Sequence, residues 1–119
     1  MATLTPKLTL VGKADDFGDA INLAVTVSGG LTISKDVVGI SKIQLSTVNL
    51  EIGATSYGKS FVYLRNIDGS ININIKFGSD VNINLGPSEF AFFPWDGVNA
   101  LGASSVSGTP FLEYAIFES

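Results

Sequence analysis

Three carboxylates crowd one short stretch, Asp15-Asp16-x-x-Asp19, with Gly18 among them. Calcium needs hard oxygen ligands on a loop that can bend, so Asp15, Asp16 and Asp19 are the weak metal candidates of the chain. The spacing departs from the EF-hand pattern, and three acids supply few of the roughly six to eight oxygens that calcium takes. The same residues also read as a solvated turn. Hydrolysis by a carboxylate pair needs only Asp or Glu, and the chain has eleven acids. Nothing in their spacing sets a pair beside a groove. Ser34-Lys35 and Ser41-Lys42 are adjacent residues, which point to opposite faces of a strand and make poor dyads. With no histidine and no cysteine, Ser-His-Asp triads, Cys-His pairs and the usual zinc ligand sets are excluded. No phosphate-binding Gly-x-x-x-x-Gly-Lys-Ser/Thr or Gly-x-Gly-x-x-Gly is present. The expectation is a protein without catalytic residues or cofactors.

The residues left over suit contact rather than reaction. Ile71-Asn72-Ile73-Asn74-Ile75 is echoed by Val81-Asn82-Ile83-Asn84-Leu85. The intervening Lys76–Asp80 carries Gly78 and can close a hairpin. One face of that hairpin is an apolar ladder, and the other gathers Asn72, Asn74, Asn82 and Asn84. The amides read either as a solvent face or as an adhesive surface that hydrogen-bonds across a subunit contact. Phe90, Phe92, Phe93 and Trp95 crowd six residues. Alternation buries Phe90 with Phe92 and leaves Phe93 and Trp95 on the other face or in the following turn. That makes Phe93 and Trp95 interface candidates, with Trp95 as a cap on the core the competing reading. Arg65 sits within a strand. It is either a charge facing water or a buried group in need of a partner.

These residues must be carried by strands. Ile21, Leu23, Val25 and Val27 alternate with Asn22, Ala24 and Thr26, and the same period of two recurs to the end of the chain. Apolar residues nowhere keep a helical rhythm for three turns. Thirteen glycines punctuate the sequence, at Gly29-Gly30, Asp68-Gly69, Gly86-Pro87 and Asp96-Gly97 among others, with a turn signal about every ten residues. Strands are expected at 7–11, 21–27, 30–34, 41–46, 48–52, 61–66, 71–77, 81–86, 89–93 and 111–118. The Gly/Ser/Ala-rich stretch 95–110 reads as loop. Phe61–Leu64 and Phe111–Phe117 carry large apolar side chains on both faces, as strands covered on both sides do. The pattern predicts an all-β chain, an antiparallel sandwich or barrel over 1–119 as a single domain.

Size and composition narrow the partners. A chain of 119 residues fits one domain. It is 45% hydrophobic and only 15% charged, against about 25% charged in ordinary globular domains. Such a surface is Ser/Thr/Asn-rich, partly covered by partners, or both. Seven basic residues are scattered through a chain of net charge −4, so no basic stripe forms and nucleic acid is not an expected partner. No apolar run approaches the ~20 residues that span a bilayer, and no charged-then-apolar leader opens the sequence, so neither membrane insertion nor secretion is expected. The fold must hold by packing or association, without disulfides.

The second half resembles a known group. Phe61-Val62-Tyr63-Leu64-Arg65-Asn66-Ile67-Asp68 leads into the Ile/Asn hairpin. Leu85-Gly86-Pro87-Ser88-Glu89-Phe90-Ala91-Phe92-Phe93 follows, and then Leu112-Glu113-Tyr114-Ala115-Ile116-Phe117-Glu118. This order is similar to the small virion decoration (cement) proteins of tailed bacteriophages. They show an aromatic strand ending in Asn, a Pro-Gly-Glu-like turn before a second aromatic strand, and a last strand ending near Phe-Glu. The first half, with Asp36-Val37-Val38-Gly39-Ile40-Ser41-Lys42-Ile43, resembles their N-terminal part. Here Gly86-Pro87-Ser88-Glu89 stands for Pro-Gly-Glu. The resemblance implies a jelly-roll-like β-sandwich, often a homotrimer, placed in many copies on the capsid surface. Its partners would be the major capsid protein and copies of itself. It also implies synthesis in the host bacterial cytoplasm and residence in the virion, and it carries over no catalytic residues. Met1–Lys7 would be an extended N-terminal arm able to reach a neighbour as an added strand. A tail or fibre module stacking host glycans on Trp95 is the alternative, and a β-sandwich binding domain outside viruses is a third.

Overall fold

The computed structural model describes residues 2–12, 23–33 and 40–119. The described residues form twelve strands and one 3-10 turn, Thr55–Tyr57. The strands are β1 (Ala2–Leu4), β2 (Lys7–Gly12), β3 (Leu23–Ser28), β4 (Leu31–Ile33), β5 (Ser41–Gln44), β6 (Leu50–Gly53), β7 (Ser60–Asn66), β8 (Ile73–Phe77), β9 (Asp80–Leu85), β10 (Phe90–Trp95), β11 (Leu101–Ser105) and β12 (Phe111–Glu118).

Eight of them make an antiparallel sandwich. One sheet runs β10-β7-β12-β5 and the other β6-β11-β8-β9. Pairing is nested: β8 with β9, β7 with β10, β6 with β11 and β5 with β12, all antiparallel. A long hairpin folded over on itself gives this order, which is the jelly roll. The two inner faces meet in one core. Val62, Leu64, Trp95 and Leu112 come from the first sheet, and Ile73, Ile75, Leu85, Leu101 and Ala103 from the second. Period-two alternation produces this. In β7 the residues Ser60, Val62, Leu64 and Asn66 point in, and Phe61, Tyr63 and Arg65 point out.

β7 and β12 are central in their sheet, in keeping with their two-faced apolar sequences. β11 falls in the stretch that composition assigns to loop. Its five residues, Leu-Gly-Ala-Ser-Ser, are all buried between β6 and β8. Small side chains serve there because both faces are crowded: the Asn49 amide lies directly over Gly102.

β8 and β9 form the expected hairpin, with one irregularity. Ile75 lies opposite Ile83, but Lys76 lies opposite Val81, so Asn82 is the extra residue of a bulge. The bulge turns Val81 out of the apolar ladder, and it is 52% exposed.

The four N-terminal strands stand apart as a two-stranded ribbon. β1 pairs with β4 and β2 with β3. The break between the two ladders falls at Thr5-Pro6 opposite Gly29-Gly30, where Pro6 has no N–H to donate. The expected N-terminal arm is therefore paired within its own chain at Ala2–Leu4.

Candidate functional site

The outward face of the first sheet is aromatic. β7 contributes Phe61 and Tyr63, β10 contributes Phe90 and Phe92, and β12 contributes Phe117, with Cα partners Phe92–Tyr63 and Phe117–Phe61. The rings of Phe61 and Phe92 stack, with centroids 6.3 Å apart and planes 8° from parallel. The N-terminal ribbon lies against this face. A groove of about 320 Å³ runs between them, lined by Leu4, Pro6, Tyr63, Phe90, Phe92 and Phe117. A second, of about 360 Å³, continues it under the ribbon from Phe92 to Gly29 and Leu31. Despite this cover Phe90 remains 62% exposed and Phe92 39%. Leu8 and Leu10 of the ribbon are exposed as well.

The polar members of the face are tied to one another. Tyr63 donates its hydroxyl to Oε1 of Glu113 at 2.7 Å. Partial burial, together with the hydrogen bond to the Glu113 carboxylate and its charge, raises the Tyr63 phenol above its ordinary pKa, while nearby Arg65 offsets part of this. Arg65 is exposed, with Phe90 and Glu113 as its strand neighbours.

The structure reverses the expected facing of the aromatic cluster. Phe93 and Trp95 point inward, and Phe90 and Phe92 point outward. Alternation fixes which residues share a face, and only the rest of the sheet decides which face is covered. Trp95 is 3% exposed and donates its indole N–H to the Asn99 carbonyl at 3.1 Å. Phe93 meets Phe77 edge to face, with centroids 5.7 Å apart. Trp95 therefore caps the core and offers no free ring to a sugar. A hollow of about 390 Å³ beside it is bounded by Lys59, Asp96 and Asn99.

Asn72, Asn74 and Asn84 do come together on the outer face of the second sheet. Asn84 donates to the Asn74 side chain at 2.7 Å and accepts from the Asn72 amide at 3.3 Å. The amides satisfy one another as a short ladder. The side chain of Asn82 lies outside the described residues, as do Asp15, Asp16 and Asp19. Among the described residues no three acids gather where they would hold a metal ion.

A residue that sequence reading passed over organises the end of the sandwich. Asn66 is wholly buried. Its amide donates to the carbonyls of Ile71 at 2.8 Å and Leu85 at 2.9 Å, and its Oδ1 accepts the Asp68 N–H at 2.9 Å. Its own N–H donates to the Glu89 carbonyl at 2.9 Å. Asp68 then accepts the Ser70 and Ile71 N–H groups, which hold its carboxyl below the usual range. The signal was an Asn at the end of a strand and before a turn, two residues ahead of Asp68-Gly69.

Comparison with family models, with curated proteins and with solved structures returns no match.

Proposed function

We propose that this chain is a structural virion protein, a capsid decoration or cement protein that bridges major capsid protein subunits. The observation that supports it most is the aromatic outer face of the β10-β7-β12-β5 sheet, where Phe90, Phe92 and Phe111 stay exposed. Exposed apolar strips of this kind are contact surfaces. A jelly roll tied by nested strand pairs supplies a stiff body. A protein that binds the assembled shell and not its free subunits stabilises the shell by mass action. The resemblance of the Phe61–Asp68, Leu85–Phe93 and Leu112–Glu118 segments to phage decoration proteins points the same way.

Quantitative mass spectrometry of purified particles of the virus encoding this chain tests the reading. The chain is expected in a fixed, high ratio to the major capsid protein. Its absence from particles, or its presence at a handful of copies, overturns the decoration role. A handful of copies that fractionate with detached tails would transfer it to a tail module.

A further inference from the structure

The sandwich has four sheet edges, and three of them are guarded by charge. β5 carries Lys42, β6 carries Glu51 and β9 carries Asp80. Charges at an edge discourage pairing with another chain. The fourth edge, β10, reads Phe-Ala-Phe-Phe-Pro-Trp and carries none. Among the described residues no strand pairs with its outer side.

Hydrogen-bond parity shows what this edge offers. Asn66, opposite Glu89, donates its N–H to the Glu89 carbonyl. In an antiparallel ladder, backbone groups of alternate residues turn toward the same neighbour. Glu89, Ala91, Phe93 and Trp95 therefore face β7, and Phe90, Phe92 and Pro94 face the free edge. Pro94 fits that assignment because it has no N–H to leave unpaired on the open side. The edge presents two N–H donors, from Phe90 and Phe92, with their two carbonyls beside them.

Such an edge is complementary to itself. We propose that β10 pairs antiparallel with β10 of a second copy about a twofold axis at Ala91. Phe90 lies opposite the partner's Phe92, and each such pair exchanges two hydrogen bonds, so both donors and both acceptors of each copy are used. Pro94 lies beyond the paired segment. Ala91 meets its counterpart in the closely spaced non-hydrogen-bonded pair, where Cα atoms approach to about 4.5 Å and a small side chain fits. The two four-stranded sheets become one sheet of eight. Phe90 and Phe92 of both copies then form a single strip across the seam on the outer face. This assembly does not depend on the virion reading, and it departs from the trimer that the resemblance implies.

Light scattering on the purified full chain over a concentration series tests it. The expected mass is twice the 12.5 kDa of the chain. Phe90→Lys places like charges across the seam and is expected to give a monomer whose Trp95 fluorescence is unchanged. The chain has no cysteine, so Ala91→Cys is expected to form a disulfide-linked dimer under mild oxidation, whereas Val98→Cys, on an exposed loop, stays single. A monomer, a trimer, a dimer indifferent to Phe90→Lys, or an Ala91→Cys protein that cross-links no better than Val98→Cys overturns the proposal.

Discussion

Asn66 shows how one polar side chain can hold a β-sandwich together at its end. It sits where β7 stops, and its amide spans two carbonyls that lie far apart in sequence, Ile71 and Leu85. Asn66→Ala strands both carbonyls, and leaving a buried acceptor unpaired costs roughly 1–3 kcal/mol. A loss of about 2–3 kcal/mol in urea unfolding is expected, and a loss within measurement error would show that water replaces the amide. Tyr63 carries a pH signature. Its phenol pKa is raised in the folded protein by burial and by Glu113. The stability this lends is therefore fully present below the ordinary tyrosine value of about 10, and is lost as pH rises through the higher folded value. Thermal melts from neutral to strongly alkaline pH should fall more steeply in the parent than in Tyr63→Phe. Parallel curves would show that burial and Glu113 leave the phenol's titration unchanged on folding.

At the scale of elements, a turn and a bulge separate what patterning reveals from what it conceals. In the Gly86–Glu89 turn, the Glu89 N–H closes on the Gly86 carbonyl at 3.0 Å. Ser88 takes the left-handed backbone at φ 66°, the one non-glycine to do so among the described residues. Pro87 then Ser88 occupy the positions where Pro then Gly favour a type II turn. Ser88→Gly is expected to raise stability by about 0.5–1 kcal/mol, because a side chain in that conformation costs about 1–2 kcal/mol and glycine's extra unfolded-state freedom offsets part of the gain. An unchanged melting temperature would refute this. The bulge in β9 makes the opposite point. Strict alternation puts Val81 in the core, where Val81→Gln would be ruinous. Its position on the outer face, opposite Lys76, makes the uncharged Val81→Gln neutral within about 0.5 kcal/mol in chemical denaturation, and a loss of several times that would mean the bulge is misplaced.

The same elements show how far the sequence could be read. The alternating runs of β7, β8, β9 and β12 announced themselves, since each is long and has one face of Ile, Leu and Val. β11 did not, because a strand squeezed on both faces uses Gly, Ala and Ser, the vocabulary of loops. The facing of Phe90 and Phe92 was also hidden. A period of two is symmetric, and it took the placement of the N-terminal ribbon to give the outer face something apolar to meet. Asn66 looked like any strand-end asparagine, because its partners lie in segments that only the fold brings together.

The whole molecule divides into a tightly laddered body and a lightly attached ribbon. The ribbon's four strands pair two by two, each with one neighbour, and a two-stranded unit is marginal in water on its own. Amide exchange followed by mass spectrometry should find the backbone of 2–12 and 23–33 exchanging well ahead of β7 and β12, whose ladders are flanked on both sides. Equal protection would mean that the ribbon is bound to the body far more firmly than its contacts suggest.

The nested pairing also sets an order of events at the ribosome. β12 is inserted between β7 and β5, yet among the described strands it comes last in chain order. Until it emerges from the exit tunnel, β5 has no partner and β7 keeps one flank bare. The β8–β9 hairpin can close early, because its strands are neighbours in sequence, whereas the β5–β12 pair joins residues about seventy positions apart. The nascent chain thus holds an unfinished sheet from the synthesis of β5 until β12 is made, and the sandwich completes in a nearly concerted step. Frameshifts or early stops that remove β12 should accordingly leave no partly working remnant, but a chain fit only for degradation.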